Sequence, residues 1–134
     1  MKKILFVMVA GLFSIAPIYA QETVTDEYVQ QAIGKGRQYI VVILKEGKNL
    51  GLDEAAQLKE QEAHLKYLFT LKEQGKLPIF GPFFNSGELS GLCVFNSDNK
   101  EEVKTLIEGD PHIKSGQLIY EIHQWFSIPG FVLP

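Results

Sequence analysis

Two polar residues, His64 and Asp110, stand where the sequence predicts buried faces of helices. His64 lies in the stretch EAHLKYLF, and Leu68 and Leu71 follow it at helical spacing, which places its ring at the edge of a buried stripe. Asp110 comes seven residues after Val103 and continues the buried face of a second predicted helix just past its end. A buried carboxylate needs a hydrogen-bonding or charged partner, and a histidine is a suitable one.

A pair formed by His64 and Asp110 would be able to move protons near neutral pH. The carboxylate would fix the tautomer of the imidazole by bonding one ring nitrogen, and it would raise the basicity of the other. A second interpretation of Asp110 is that it is a turn residue. It precedes Pro111, and an aspartate in such a turn commonly bonds nearby main-chain amides. From the residue types alone, the turn interpretation is favoured.

Aromatic residues around the Gly81-Pro82 turn are candidates for the wall of a substrate pocket. Phe80 and Phe83 flank this turn, and Leu68 of the predicted helix would complete an apolar lining. The same phenylalanines equally suit a plain hydrophobic core, so their residue types leave both interpretations open. The sequence therefore predicts a compact apolar or aromatic ligand only if the turn opens onto the predicted pair.

The two remaining histidines are weaker candidates. His123 shares one face of a predicted strand with Glu121 and Trp125. There it would line the substrate pocket at a subunit cleft or be a satisfied interface residue. His112 follows Pro111 in a predicted loop and is expected to be solvated. Three histidines without a short paired spacing predict no metal site.

Other reactive groups are sparse. The glycine-containing stretches GKG and GKNLG lack the rest of a phosphate-binding loop, and no serine lies in a nucleophile-elbow pattern. The single cysteine, Cys93, lies in the apolar run GLCVF, which favours a small buried residue over a reactive thiol. The sequence therefore predicts no cofactor.

The start of the chain has the pattern of a secretory signal peptide. Lys2 and Lys3 precede an apolar run that is short for a bilayer span, and residues 18–20 resemble a cleavage site. The expected mature protein begins after Ala20, is exported to the periplasm or beyond, and keeps no stable membrane anchor. An uncleaved anchor is the alternative.

The charge of the predicted mature chain argues against nucleic acid as a partner. The full chain of 134 residues has a formal net charge of −3, and removal of residues 1–20 takes away two lysines and no acid, which leaves −5. The chain has no basic cluster, whereas nucleic-acid binding relies on such clusters. The length suits one domain.

Hydrophobic periodicity and turn residues divide the mature chain into elements. A polar extension, residues 21–37, carries a short helix capped by Thr25 and ended by Gly34. The domain follows at residues 38–126, and residues 127–134 form an apolar tail. Its predicted elements are a strand at Gln38–Leu44, a helix at Asp53–Gln74, a short strand after Pro78, a strand at Leu89–Phe95, a helix at Asp98–Glu108 with an Asp98/Glu101 capping box, and a strand at Gln117–Phe126.

This β-α-β-β-α-β order predicts a ferredoxin-like α+β fold, with a four-stranded antiparallel sheet. Two helices can cover only one face of such a sheet, yet the first and third predicted strands are apolar on both faces. The uncovered face needs a partner, and a second copy of the chain is the simplest one. We therefore expect a homodimer through the sheet face. The apolar tail would extend the interface between the two copies.

Residues 39–125 resemble the YCII-related family. The matching segments, in order, are YIVVILKEG, HLKYLFTLKEQGKLPIFGPF, GELSGLCVF and DNKEEVKTLIEGDPHIKSGQLIYEIHQW. The resemblance implies a ferredoxin-like fold that dimerises as an α+β barrel. It also implies a His-Asp dyad at His64 and Asp110, and a few members of the family act in the breakdown of chlorinated aromatics. The predicted signal peptide and residues 21–35 depart from the family pattern.

The leading functional hypothesis is an exported, cofactor-independent enzyme that moves a proton on a small apolar or aromatic substrate, as in isomerisation or elimination. His64 would be the base or acid, and Asp110 would orient it. The alternatives are a non-catalytic dimeric module that binds a small ligand or assists another protein, and a purely structural dimer.

Overall fold

The computed structural model describes residues 23–49 and 51–134, so the predicted signal peptide lies outside the described residues. Within that part of the chain, no helix is long and apolar enough to span a bilayer. The elements in chain order are α1 (Asp26–Gly34), β1 (Arg37–Glu46), α2 (Glu54–Glu73), β2 (Ile79–Pro82), β3 (Leu89–Phe95), α3 (Lys100–Glu108), α4 (Pro111–Lys114) and β4 (Leu118–Ser127).

The four strands form one antiparallel sheet in the order β2-β3-β1-β4. The long strand β1 lies in the centre and pairs with β4 along its whole length. The short strand β2 is an edge strand that begins just after Pro78, as expected for a proline that cannot donate to a sheet ladder. The strand order and the two crossing helices confirm the predicted ferredoxin-like α+β fold.

The ends of the main helices follow from local side-chain chemistry. Asp53 caps α2 by accepting the main-chain N–H of Ala56 at 2.9 Å. Gly75, at a φ of +71°, ends the same helix in the left-handed conformation that a glycine adopts without strain. The predicted capping box at Asp98 is wrong, because the neighbouring Asn99 accepts the first N–H groups of α3 instead.

The core lies between the helices and one face of the sheet. Alternate residues of β1 and β3 point into it, and they pack against the buried faces of α2 and α3. The buried apolar side chains are Ile40, Val42, Leu44, Leu68, Leu71, Leu77, Cys93, Val94, Phe95, Val103 and Ile107, of which Val94 is the one that lies outside the continuous cluster.

The buried stripe of α2 differs from the predicted one. Sequence spacings of seven, three and one residues predict a buried stripe of Leu58, Leu65, Leu68 and Phe69. Only Leu68 is buried, because Leu58, Leu65 and Phe69 are 67%, 39% and 52% exposed. His64, Leu68 and Leu71 are the buried residues of this helix. The packing angle of α2 on the sheet selects this row, so His64 lies within the buried face and not at its edge.

The other face of the sheet has no helix over it. Ile119 and Trp125 of β4 point to this open face and are about half exposed, at 53% and 44%. The tail after β4 runs beside the face and lines a cavity of about 630 Å³ together with Tyr39 and Trp125. The helix α1 buries none of its residues and lies at the periphery of the domain.

Two leucines of α2 test this packing. Leu71→Ala should lower the free energy of unfolding by about 2–5 kcal/mol, because it leaves a cavity among buried residues. Leu58→Ala should change it by no more than about 0.5 kcal/mol, because its side chain is largely exposed. Urea unfolding followed by circular dichroism measures both, and equal losses would show that the assigned buried stripe is wrong.

Candidate active site

His64 and Asp110 meet in the core between α2 and α4. The Nδ1 atom of His64 lies 2.8 Å from both carboxylate oxygens of Asp110, whose side chain is fully buried. Because an ionised carboxylate only accepts hydrogen bonds, Nδ1 carries the hydrogen and donates it. The lone pair of the neutral ring is then on Nε2, which makes no hydrogen bond to the described residues.

The two interpretations of Asp110 both hold. Besides facing His64, its Oδ1 atom accepts the main-chain N–H of His112 at 2.9 Å and so caps the short helix α4. Pro111 occupies the first position of this helix, where its missing N–H costs nothing. The turn bond fixes the carboxylate from one side and the imidazole fixes it from the other.

Tyr67, within α2, and Gly109, at the end of α3, hold these two helices together beside the carboxylate. The Tyr67 hydroxyl donates to the carbonyl of Leu106 at 2.6 Å, and burial, with a smaller contribution from Asp110, raises its pKa. A side chain at Gly109 would place its Cβ 2.2 Å from the Tyr67 oxygen. Only glycine permits this approach, which brings the chain to Asp110 in the correct position.

His112 is the residue that the sequence interpretation missed. It was expected to be solvated in a loop, but its side chain is only 7% exposed. Its ring stacks on that of His64 with 4.4 Å between centroids and 4° between planes. Burial, followed by the charge of His64, lowers the pKa of His112. The prediction failed because α4 turns the ring back onto α2, and Asp-Pro as a helix start was the signal for this.

An open cleft of about 510 Å³ lies beside the pair, between α2 and the edge of the sheet. Leu68 and Phe80 line it, as do His64 and His112. Phe83 and His123, the other predicted pocket residues, are not among its lining residues. Phe83 follows the end of β2, and His123 lies on the open face of the sheet, 3.5 Å from Glu121.

The cleft is apolar with few charges. Its lining, taken over the described residues, contains no lysine or arginine, and Glu46 is its one acidic side chain. Cys93 also lines it, but burial, with a smaller contribution from Asp110, raises the pKa of this thiol to about 12. The thiol is therefore protonated at neutral pH and serves as a small apolar wall residue.

A metal centre has no candidate ligands in the described part of the chain. No group of three or more histidine, cysteine, aspartate or glutamate side chains converges there.

The sequence profile of the YCII-related domain matches residues 38–126, about two-thirds of the chain. The chain belongs to this family. The matched range holds the whole four-stranded sheet, except for the outermost residue at each end, and both members of the His64–Asp110 pair.

Two solved structures show weaker likenesses. One is a 5-chloro-2-hydroxyhydroquinone dehydrochlorinase from Burkholderia phenoliruptrix, in complex with 2,5-dihydroxybenzoquinone; it is 21% identical, with a TM-score of 0.49, and the match covers 64% of this chain and 92% of that one. The other is a dimeric ferredoxin-like protein of unknown function from Bacteroides fragilis; it is 12% identical, with a TM-score of 0.39, over 68% of this chain and 95% of that one. A search of curated proteins finds no match.

Two aspartates that cap helices allow a matched test of the pair. Asp110→Ala should lower the free energy of unfolding by roughly 2–4 kcal/mol, because it removes a cap and leaves the buried Nδ1–H of His64 without an acceptor. Asp53→Ala removes only an exposed cap and should cost about 1 kcal/mol. Chemical unfolding of both variants gives the comparison, and similar costs would mean that the pair adds nothing beyond the cap.

Proposed function

We propose that this YCII-related protein is an enzyme that transfers a proton on a small ligand bound in the cleft, without a cofactor. The observation that carries the proposal is the bond between Nδ1 of His64 and the buried carboxylate of Asp110. This bond leaves Nε2 as the basic atom of a ring that lines the cleft. His64 is the base or acid, and Asp110 orients it.

The proposed reaction needs only these two residues. Nε2 of His64 removes a proton from a carbon of the ligand, and the resulting imidazolium is stabilised by the adjacent carboxylate. The same proton then returns to a different atom of the ligand in an isomerisation, or is retained while a leaving group departs with the electron pair in an elimination. In the second case, solvent takes the proton from His64 and restores the base.

The lining of the cleft suggests the kind of ligand. Leu68 and Phe80 offer apolar surface for a compact ring, and their positions on α2 and β2 place that surface beside His64. Glu46 and the buried Asp110 disfavour an anion, because no basic side chain in the lining would compensate its charge. A neutral molecule with an apolar body fits these features best.

Proton exchange tests the proposal without knowledge of the natural substrate. The probes are acetophenone and 1-indanone in D₂O, whose exchange of hydrogen next to the carbonyl is followed by NMR. The protein should accelerate exchange, and His64→Gln should reduce the acceleration by on the order of 100-fold or more. Asp110→Asn should also reduce it, whereas Asp53→Asn alters a cap that is not among the lining residues of the cleft and should leave it unchanged.

The outcomes separate catalysis from its alternatives. Exchange that is unaffected by His64→Gln would refute the proposed role of the pair. If the probes bind in the cleft, as shown by chemical-shift changes of residues such as Phe80, but do not exchange faster than in buffer, the protein is better described as a ligand-binding module.

We also propose that the protein is a homodimer through the open face of its sheet. The support is the apolar character of this face, where Ile119 and Trp125 are about half exposed and no helix covers them. A second copy would bury these side chains by a two-fold, self-complementary contact.

Sedimentation of the protein tests the dimer. The wild-type protein should sediment as a dimer at micromolar concentration. Trp125→Glu should shift it to monomer, because the contact would then bury a charge without a partner. Leu58→Glu alters a side chain that is exposed on α2, on the opposite side of the sheet, and should leave the dimer intact. A wild-type monomer would contradict the proposal.

A further inference from the structure

One ring nitrogen near the site has no explanation in the proposed mechanism. Within the described residues, Nε2 of His112 is the one buried side-chain nitrogen or oxygen atom that lacks a hydrogen-bond partner. Such atoms are rare in folded proteins, because a buried polar atom loses its bonds to water and gains nothing in return.

The known contacts of His112 do not require an imidazole. Its stack on His64 would be available to a phenylalanine, which carries no nitrogen to bury. Its bond to Asp110 comes from the main-chain N–H, which any residue other than proline would offer. The nitrogen thus lowers stability without serving the fold, and such a conflict is typical of a functional residue.

His112 lies in a wall between two cavities. It lines the apolar cleft and also an adjoining cavity of about 540 Å³ between α2 and the β1–α2 connection. Glu46, Gln61 and Gln117 line both cavities as well, so the shared wall is polar. Gln61 is exposed and Gln117 half-buried, so two long, rotatable side chains share this wall with the His112 ring.

The surroundings of His112, burial above all, favour its neutral form. Burial and His64 lower its pKa, and they outweigh the opposing effects of Asp110 and Glu60. Glu46 shares the wall but is exposed to solvent. The Nε2 atom of a neutral imidazole offers one hydrogen bond to a neutral partner and no ion pair.

We propose that His112 determines the specificity of the cleft, and that its Nε2 hydrogen-bonds a neutral polar group of the ligand, such as a hydroxyl. The apolar body of the ligand lies against Leu68 and Phe80, and its polar group reaches the wall between the cavities. This proposal rests on the cleft assigned in the proposed function, but it requires no turnover.

The first test is the stability of the ligand-free protein. His112→Phe keeps the stack and removes the nitrogen, and it should raise the melting temperature. His112→Leu removes the nitrogen with a smaller side chain and guards against overpacking by the phenyl ring. If both variants melt below the wild type, the nitrogen is already satisfied in the free protein and the proposal is overturned.

The pH dependence of stability gives a second check of the neutral state. Because the folded pKa of His112 is below that of the unfolded chain, the unfolded state binds more protons as pH falls below about 6.5. The wild type should therefore lose stability over this range relative to His112→Phe. A difference in stability between the wild type and His112→Phe that becomes smaller as pH falls would contradict a neutral His112.

Binding of three small probes tests recognition directly. Benzyl alcohol should bind more tightly than ethylbenzene, which has no polar group, and benzoate should bind most weakly because it is an anion. The ¹⁵N shift of the His112 ring should respond to benzyl alcohol alone. In His112→Phe, the affinity for benzyl alcohol should fall by roughly fivefold or more, while that for ethylbenzene stays the same.

The outcomes are independent of the exchange assay. If benzyl alcohol changes the ¹⁵N shift of His112 while neither ketone exchanges hydrogen faster than in buffer, His112 recognises a ligand that the protein binds without catalysis. If the nitrogen shift is unchanged at saturating benzyl alcohol, or His112→Phe lowers the affinity for all probes equally, His112 does not determine specificity.

Discussion

The structure depends on one buried negative charge. Asp110 is fully buried, and a carboxylate in that position would be strongly destabilising without partners. Its partners come from two directions, the ring of His64 on α2 and the main-chain N–H of His112 on α4. The need to satisfy this charge fixes the position of α4 on α2 and the orientation of the imidazole. The same contacts that make burial tolerable also hold the His64 ring in place beside the cleft.

Much of the fold was predictable because its signals are local. The cap at Asp53 and the stop at Gly75 set the ends of α2 within one residue of the predicted bounds, and β3 has the predicted bounds Leu89–Phe95. The cap of α3 was predicted one residue too early, because Asp98 and the neighbouring Asn99 can both accept the same N–H groups. The exposed Leu58 shows a further limit. Helical spacing identifies apolar residues that share one face of a helix, but the orientation of the helix on the sheet decides which face is buried.

The site was predictable only in part. Spacing placed His64 and Asp110 near buried faces and suggested that they pair, and the family resemblance added support for this pair against a turn role for Asp110 alone. The structure places Nδ1 of His64 2.8 Å from the carboxylate oxygens. His112 was missed because α4 has only four residues and therefore shows no periodic pattern. The cleft depends on how β2 and α2 approach each other in space, so the sequence could not separate Phe80, which lines it, from Phe83, which does not.

The paired residues lie 46 positions apart, one in each β-α-β half of the fold. Neither half contains both members of the pair, so the pair forms only when the two halves dock. Local opening of either half would therefore break the pair together with the core. A ligand bound in the cleft would in turn stabilise the whole domain, because it would bind only conformations in which the two halves are docked. Ligand binding in the cleft and cooperative folding of the domain would therefore both depend on the contact between the two halves.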